Sequence, residues 1–229
     1  MKNIDEDEWD QIFDEDFDDE DNKKIAKTFL HRQVSLKSLL PVTGFILLSL
    51  FLSYLFWTGE FSQYFLVSRK SIYYDGEYWR LFTAILVHSN VGHFLSNIPL
   101  LLIFGWFLFD FFGFIAFPIL PIILGILTNL ITISFYPLYT NLLGSSGLSH
   151  SMVSMWIFCY FYYDDSKPRK EKALRVFGFL LVMMIPSTMY KNTSYLSHLA
   201  GFILGFLGAF FLIYFGIRRQ ECDRCDLEN

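Results

Sequence analysis

The feature that most constrains the fold is a series of six long apolar stretches separated by polar segments. Their approximate bounds are residues 39–57, 91–109, 112–136, 147–163, 173–190 and 196–217. Apolar runs of about 18–25 residues are long enough to cross roughly 30 Å of hydrocarbon as helices. Pro118 and Pro121 interrupt the third run, which predicts a kink in its first turns. The sequence therefore predicts an all-α membrane protein with six transmembrane helices.

The first 22 residues are strongly acidic. They hold 12 of the 23 acidic residues and one lysine, a net charge of −11, which leaves +6 for the rest of the chain. Such a segment has too few packing residues to fold alone. We expect three parts: an acidic disordered tail with a basic juxtamembrane segment (1–36), a six-helix core (37–217) and a short charged tail (218–229). The first tail is either a solvating extension or a segment that binds a partner, whose nature the sequence does not identify.

The basic residues predict the orientation. With six spans both termini lie on one side, which collects 14 Lys and Arg residues against 4 on the other. Basic residues concentrate in cytoplasmic segments, so both tails are expected in the cytoplasm of a multi-pass protein of the plasma or inner membrane. The four on the opposite side are Arg69, Lys70, Arg80 and Lys191.

Ser146 stands at the predicted outer start of the fourth span, between Gly144-Ser145 and Gly147. The start of a helix carries unpaired N–H groups and partial positive charge, which suit the oxyanion that forms when a hydroxyl attacks a carbonyl. The glycines allow backbone and substrate to approach closely. The alternative is a flexible turn in which Ser146 only caps the helix.

His198 begins the sixth span at the same predicted depth. Gly201, Gly205 and Ala209 share its helical face, and small residues at this spacing let two helices touch backbone to backbone. The imidazole would then lie close to a neighbouring helix, as a general base must. A histidine that only forms an interhelical hydrogen bond remains the alternative.

Three further polar side chains are predicted at this end of the bundle. His93 and Asn97 lie one turn apart on the second span, where both can donate to an oxyanion or simply join helices. His150 lies one turn after Ser146 and either competes as base or, as we favour, stacks on or hydrogen-bonds to His198. His88 falls in the preceding loop, where a headgroup, a water or nothing would be its partner.

The acidic residues do not supply a third catalytic member. Spans two, four, five and six hold no Asp or Glu before their cytoplasmic ends, which favours a Ser–His dyad over a triad. The sequence has no HExxH pattern, and the Cys222–Cys225 pair cannot complete a four-ligand zinc site. We therefore predict neither a metal nor another cofactor.

The serine and histidine motifs together resemble the rhomboid family of intramembrane serine proteases. The family's GxSG box matches residues 144–147, which implies Ser146 as the nucleophile. Its histidine with a trailing GxxxG is similar to His198 followed by Gly201 and Gly205. The resemblance implies a six-helix rhomboid-like bundle.

The resemblance covers roughly residues 39–217. The family's HxxxN looks like His93 and Asn97, and it implies that both form an oxyanion hole with the Ser146 backbone N–H. The family's Trp-Arg pair appears as Trp79-Arg80. The chain departs from the family at His150, which is often Tyr in bacterial members, and at Ser197, which is often Ala.

These patterns lead to one main hypothesis and two alternatives. The main hypothesis is an intramembrane serine endopeptidase that cleaves transmembrane proteins near the outer end of their span, with its active site open to the outer side. Its partners would be transmembrane substrates and the lipid bilayer, not nucleic acid. The alternatives are a catalytically silent relative that binds membrane clients, and a small transporter or channel.

Overall fold

The computed structural model describes residues 30, 33–59, 61–164, 166–188 and 193–217, with the side chains of 182–188 left out. The predicted disorder of residues 1–22 and the Cys222–Cys225 pair lie outside these residues. Within them, the chain forms the following helices: α1 (Leu39–Thr58), α2 (Arg69–Tyr73), α3 (Arg80–Thr83), α4 (Val91–Phe112), α5 (Leu120–Phe135), α6 (Ser146–Tyr163), α7 (Arg169–Thr188) and α8 (Tyr195–Tyr214).

Each of the six longest helices overlaps one of the six predicted apolar stretches. Four segments of the described chain are long and apolar enough to cross a membrane: Leu36–Thr58, Val91–Phe112, Ile115–Phe135 and Tyr195–Tyr214. Helices α6 and α7 fall outside this group. Serine and histidine side chains make the first half of α6 more polar, and α7 begins with a charged turn. The fold is therefore mostly helical, with four helices that are spans by length and composition.

The predicted kink in the third stretch is confirmed. Phe117 has extended backbone angles (φ −153°, ψ 128°), which interrupt the turn at Ile115–Ile119 just before α5. Helix α5 then begins at Leu120 with Pro121 in its first turn, a position where proline does not remove a helical hydrogen bond.

Helix α6 is the centre of the bundle. Every residue from Gly147 to Met155 is buried, on all faces of the helix. A helix surrounded in this way must be covered by neighbours on every side, and α6 packs against α4, α5 and α8. The outward face of α8 instead exposes large apolar side chains at a spacing of three or four residues, which suits contact with lipid. They are Leu199, Ile203, Leu207, Phe210 and Tyr214.

Polar contacts close the end of the bundle opposite Ser146. The buried Asp110 carboxylate, near the end of α4, accepts hydrogen bonds from the Ser35 backbone N–H and the Ser38 hydroxyl. At the same end of the bundle, the buried Lys172 ammonium donates to the carbonyl oxygens of Phe161 and Asp164. A cation at a helix C-terminus satisfies carbonyl groups that have no helical partner, so Lys172 ties α7 to the end of α6.

Candidate active site

The loop before α6 is held by backbone hydrogen bonds. Leu142 exchanges two of them with Val67, at 2.8 and 3.2 Å, and the Gly144 N–H donates to the Ala84 carbonyl oxygen at 2.8 Å. Gly144 has φ +116°, a conformation that residues with a side chain rarely adopt. The loop thus enters α6 along a fixed path.

Ser146 is the first residue of α6 rather than its cap. Ser145 occupies the N-cap position and makes no side-chain cap hydrogen bond. Ser145 and Gly147 are buried, whereas Ser146 is partly exposed. Ser145, and not Ser146, is therefore the cap residue, and Ser146 belongs to the first turn of α6, where backbone N–H groups have no helical partner.

The serine and histidine helices touch through their backbones. A Cβ added to Gly201 would overlap the Gly147 carbonyl oxygen and would lie 2.9 Å from the Gly147 carbonyl carbon. One turn further on, a Cβ on Gly205 would overlap the Ser151 carbonyl oxygen. The predicted close approach of small residues is confirmed. It brings the start of α6 next to the start of α8, where His198 lies.

His198 stacks on His150. The ring centroids are 3.9 Å apart and the planes are inclined by 19°. The His150 Nδ1–H donates to the Ser146 carbonyl oxygen at 2.7 Å. Both histidines are buried, with 7% of His198 and 1% of His150 exposed. The favoured position of His150, stacked on His198, is confirmed.

The second-span motif reaches the same place. A Cβ added to Gly144 would lie 2.8 Å from Cε1 and 3.0 Å from Nε2 of His93, so this ring covers the loop before Ser146. The Asn97 amide is buried and donates to the His93 carbonyl oxygen at 2.9 Å. The three motifs therefore meet at one end of the bundle.

His88 belongs to this site, although the sequence left its partner undetermined. The Ser145 N–H donates to His88 Nε2 at 3.4 Å, and the Ser145 hydroxyl lies 3.0 Å from the same atom. On its other side, His88 Nδ1 lies 3.4 Å from the Ser53 hydroxyl oxygen. Burial, with a smaller contribution from His93, lowers the pKa of His88 to about 3. A neutral His88 thus links α1 to the residue before Ser146.

A regular pattern on α1 could have indicated this role. Ser49, Ser53 and Trp57 follow one another at a spacing of four in a mostly apolar helix. The Ser49 hydroxyl donates to the Leu86 carbonyl oxygen at 2.8 Å, and the Trp57 indole donates to that of His88 at 2.7 Å. Polar groups on one face of a membrane helix tend to contact protein rather than lipid.

The site combines a partly exposed serine with histidines on adjacent helices, which are the groups that nucleophilic chemistry with an imidazole base requires. In the described part of the chain, the Ser146 hydroxyl makes no hydrogen bond to His198. Across the same residues, no group of three or more His, Cys, Asp or Glu side chains has an arrangement that could hold a metal ion.

The apolar helices and the polar cluster at one end define a helical membrane protein with a buried polar site. The profile of the rhomboid domain matches residues 75–215, which include the whole cluster from His88 to Gly205. The chain therefore belongs to the rhomboid family, whose members act on membrane proteins within the bilayer.

Three relatives support this assignment. YdcA of Bacillus subtilis (strain 168), a candidate rhomboid protease, is 26% identical over 139 residues, 61% of this chain and 69% of that protein. RHOMBOID-like protein 1 of Arabidopsis thaliana is 31% identical over 141 residues, 60% of this chain and 35% of the relative. RHOMBOID-like protein 6, mitochondrial, from the same plant is 26% identical over 147 residues, 63% of this chain and 47% of the relative. The chain thus matches less than half the length of each plant relative.

Proposed function

We propose that this chain is an intramembrane serine endopeptidase that cleaves transmembrane proteins near the outer end of their span. The observation that carries the proposal is the backbone contact between Gly147 and Gly201. It brings a partly exposed hydroxyl at the start of α6 beside the helix that carries a buried imidazole. Family membership supports the same reaction class.

In the proposed reaction the Ser146 Oγ attacks the carbonyl carbon of the scissile peptide bond. The proton of the hydroxyl passes to His198, which later gives it to the leaving amine. A serine hydroxyl needs only a rotation about χ1 to change its partner, and catalytic hydrogen bonds are often long until substrate binds. A water molecule then attacks the acyl-enzyme. His198 takes the proton of this water and returns it to the Ser146 Oγ as the acid product leaves.

The negative charge that forms on the substrate oxygen needs donors that are already in place. We assign this role to the Ser146 backbone N–H together with the side chains of His93 and Asn97. The position of the His93 ring over Gly144 supports this assignment. The Asn97 amide has two N–H groups, of which one suffices for its bond to the His93 carbonyl oxygen.

The proposed topology has six spans, with α6 and α7 crossing the membrane beside the four apolar helices. The polar residues of α6 are buried among its neighbours, so this helix need not be apolar to cross. The 14 to 4 distribution of basic residues supports cytoplasmic termini and an active site that opens outward. Residues 37–217 form the proteolytic core in this proposal.

The test is cleavage of a single-span substrate by the purified protein in detergent and in liposomes. We expect cleavage by the wild type and none by Ser146→Ala or His198→Ala. Tyr162→Phe, an exposed position at the other end of α6, is the matched control and should cleave normally. Full activity of Ser146→Ala would refute the proposal.

The second candidate is the catalytically silent relative that binds membrane clients. It is favoured by the missing hydrogen bond between the Ser146 hydroxyl and His198 in the described structure. A serine-reactive fluorophosphonate separates the two candidates. Labelling of the wild type but not of Ser146→Ala supports the protease, whereas a wild type that is neither labelled nor active supports the silent relative.

A further inference from the structure

A cavity of about 190 Å³ lies between α4, α6 and α7, away from the candidate active site. Its walls are mostly apolar and largely aromatic, and they include Phe104, Phe107, Trp156 and Phe179. The rings of Phe104 and Phe179 meet edge to face with their centroids 5.5 Å apart, and those of Phe107 and Trp156 lie 4.9 Å apart. These contacts join α4 to both α7 and α6, so the cavity has defined walls.

The polar groups of the lining lie at one end of the cavity. On α6, Tyr160 follows Trp156 by one turn, toward the end of the helix. On α7, Arg175 precedes Phe179 by one turn, nearer the start of the helix. Residues four apart share a helical face. Both helices therefore present a polar tip toward the end of the bundle opposite Ser146 and an aromatic ring one turn deeper.

The guanidinium of Arg175 retains donors for a ligand. Glu171 accepts from its Nη2 at 2.7 Å, and within the described part of the chain the Nε and Nη1 groups donate to no other residue. A guanidinium has five N–H donors and can bind two phosphate oxygens at once. Arg169 and Lys170 are exposed nearby on α7 and form no ion pair with another described residue. The polar end of the cavity is therefore suited to an anion.

We infer that this cavity binds one anionic glycerophospholipid, with an acyl chain among the aromatic rings and the phosphate on Arg175. An apolar cavity excludes water. Acyl chains surround a membrane protein, and a chain that enters the cavity gains the dispersion contacts that an empty space lacks. Basic pockets between helices at the cytoplasmic side suit anionic headgroups, and the proposed topology places Arg175 at that side.

The acidic first 22 residues are the competing occupant, because their charge also complements Arg175. The depth of the cavity favours the lipid. Phe104 lies eight residues before the end of α4 at Phe112, which is about 12 Å along the helix. A segment with a net charge of −11 would have to bring carboxylates toward hydrocarbon to reach this ring, and such a transfer is costly. An acyl chain has no such cost.

The first test is lipid binding by the full chain in detergent, measured by native mass spectrometry. It compares phosphatidylglycerol with phosphatidylcholine of the same palmitoyl-oleoyl chains. We expect the wild type to prefer phosphatidylglycerol about fivefold, and Arg175→Gln to lose this preference, because one basic residue beside an anionic headgroup contributes about this factor. Arg175→Lys should keep most of it. Arg169→Gln removes an exposed charge that does not line the cavity, so this control should bind as the wild type does.

The second test concerns the apolar part of the cavity. Val176 lines it, so the larger ring of Val176→Phe should occupy the space of the acyl chain and lower phosphatidylglycerol binding although Arg175 is intact. Leu174→Phe adds a ring on an exposed face of the same helix and is the matched control. Thermal unfolding identifies a variant that fails to fold. Arg175→Gln changes an exposed side chain, so the first test stands without Val176→Phe.

The third test identifies the occupant in the membrane by photocross-linking from p-benzoylphenylalanine in place of Phe179. An adduct with the mass of a phospholipid supports the inference, whereas a cross-link to residues 1–22 or to a second copy of the chain would overturn it. Equal binding of the two lipids by the wild type, or an undiminished preference in Arg175→Gln, would also overturn it. The inference needs no peptidase activity, so Ser146→Ala should bind the lipid as the wild type does. The lipid site and the proposed function can therefore fail independently.

Discussion

Gly201→Ala should separate the serine and histidine helices and strongly reduce cleavage. The new methyl group would overlap the Gly147 carbonyl oxygen and would lie 2.9 Å from the Gly147 carbonyl carbon and 3.2 Å from its Cα. These are backbone atoms, so no side-chain rotation can relieve the overlap. Helix α8 must therefore move away from α6.

The size of the movement follows from these distances. Carbon atoms pack at about 3.5–4.0 Å, so the helices must separate by about 1 Å. Overpacking of this kind costs about 1–3 kcal/mol of stability. A displacement of about 1 Å between catalytic groups can reduce the rate about 100-fold. We therefore expect a protein that still folds but has lost most of its activity.

The assay compares kcat/KM and the unfolding temperature of Gly201→Ala with those of Gly178→Ala. A Cβ on Gly178, in α7, would meet nothing within 4 Å, so this variant should keep its activity. Alanine also favours a helix over glycine by up to about 1 kcal/mol, so its stability should not fall. Wild-type kcat/KM in Gly201→Ala would show that the backbone contact does not set the catalytic distance.

Two other predictions concern the edges of the site, and a third concerns the opposite end of the bundle. The pKa of His88 falls from 6.5 to about 3 on folding, so between these values the folded state binds fewer protons than the unfolded state and the protein loses stability as the pH decreases. His88→Gln should flatten this dependence of stability on pH by up to about 1.4 kcal/mol per pH unit. Thermal unfolding between pH 7 and 4.5 measures it. Gly144→Ala combines an unfavourable φ with a clash against the His93 ring. It should abolish most cleavage and lower the stability of the protein by about 1–3 kcal/mol. Unchanged cleavage would contradict the proposed role of this loop. Lys172→Met leaves two carbonyl oxygens without their donor and should lower stability by about 1–3 kcal/mol, whereas the exposed Lys170→Met should have little effect in the same unfolding assay.

The positions of the long helices could be predicted from the sequence, because length and apolarity determine what can cross a bilayer. The start of α7 shows where this reasoning ends. The apolar stretch predicted a start at 173, but the helix begins at Arg169. Ion pairs from Glu171 to Lys167 at 3.0 Å and to Arg175 at 2.7 Å stabilise the charged first turn. Hydropathy identifies only the apolar part of such a helix.

The candidate site also has a part that the sequence predicts and a part that it does not. Ser146, His198 and their glycines form local patterns whose spacing predicts a shared helix face, and the structure brings these motifs together. The contacts of His88 could not be predicted, because Ser53 and Ser145 are 35 and 57 residues away along the chain. The stripe of Ser49, Ser53 and Trp57 marks the face of α1 that contacts protein, but it does not identify the loop that precedes α4 as its partner, nor the start of α6 as the second partner of His88.

The main-chain contact between α6 and α8 also has a consequence for different membranes. Helices adapt to the thickness of a bilayer by tilting, and pairs joined through long flexible side chains can change their mutual angle as they do so. Gly147 and Gly201 leave no such freedom, because neither has a side chain that could yield. This helix pair should tilt as one rigid body, so thin and thick bilayers should leave its internal geometry unchanged.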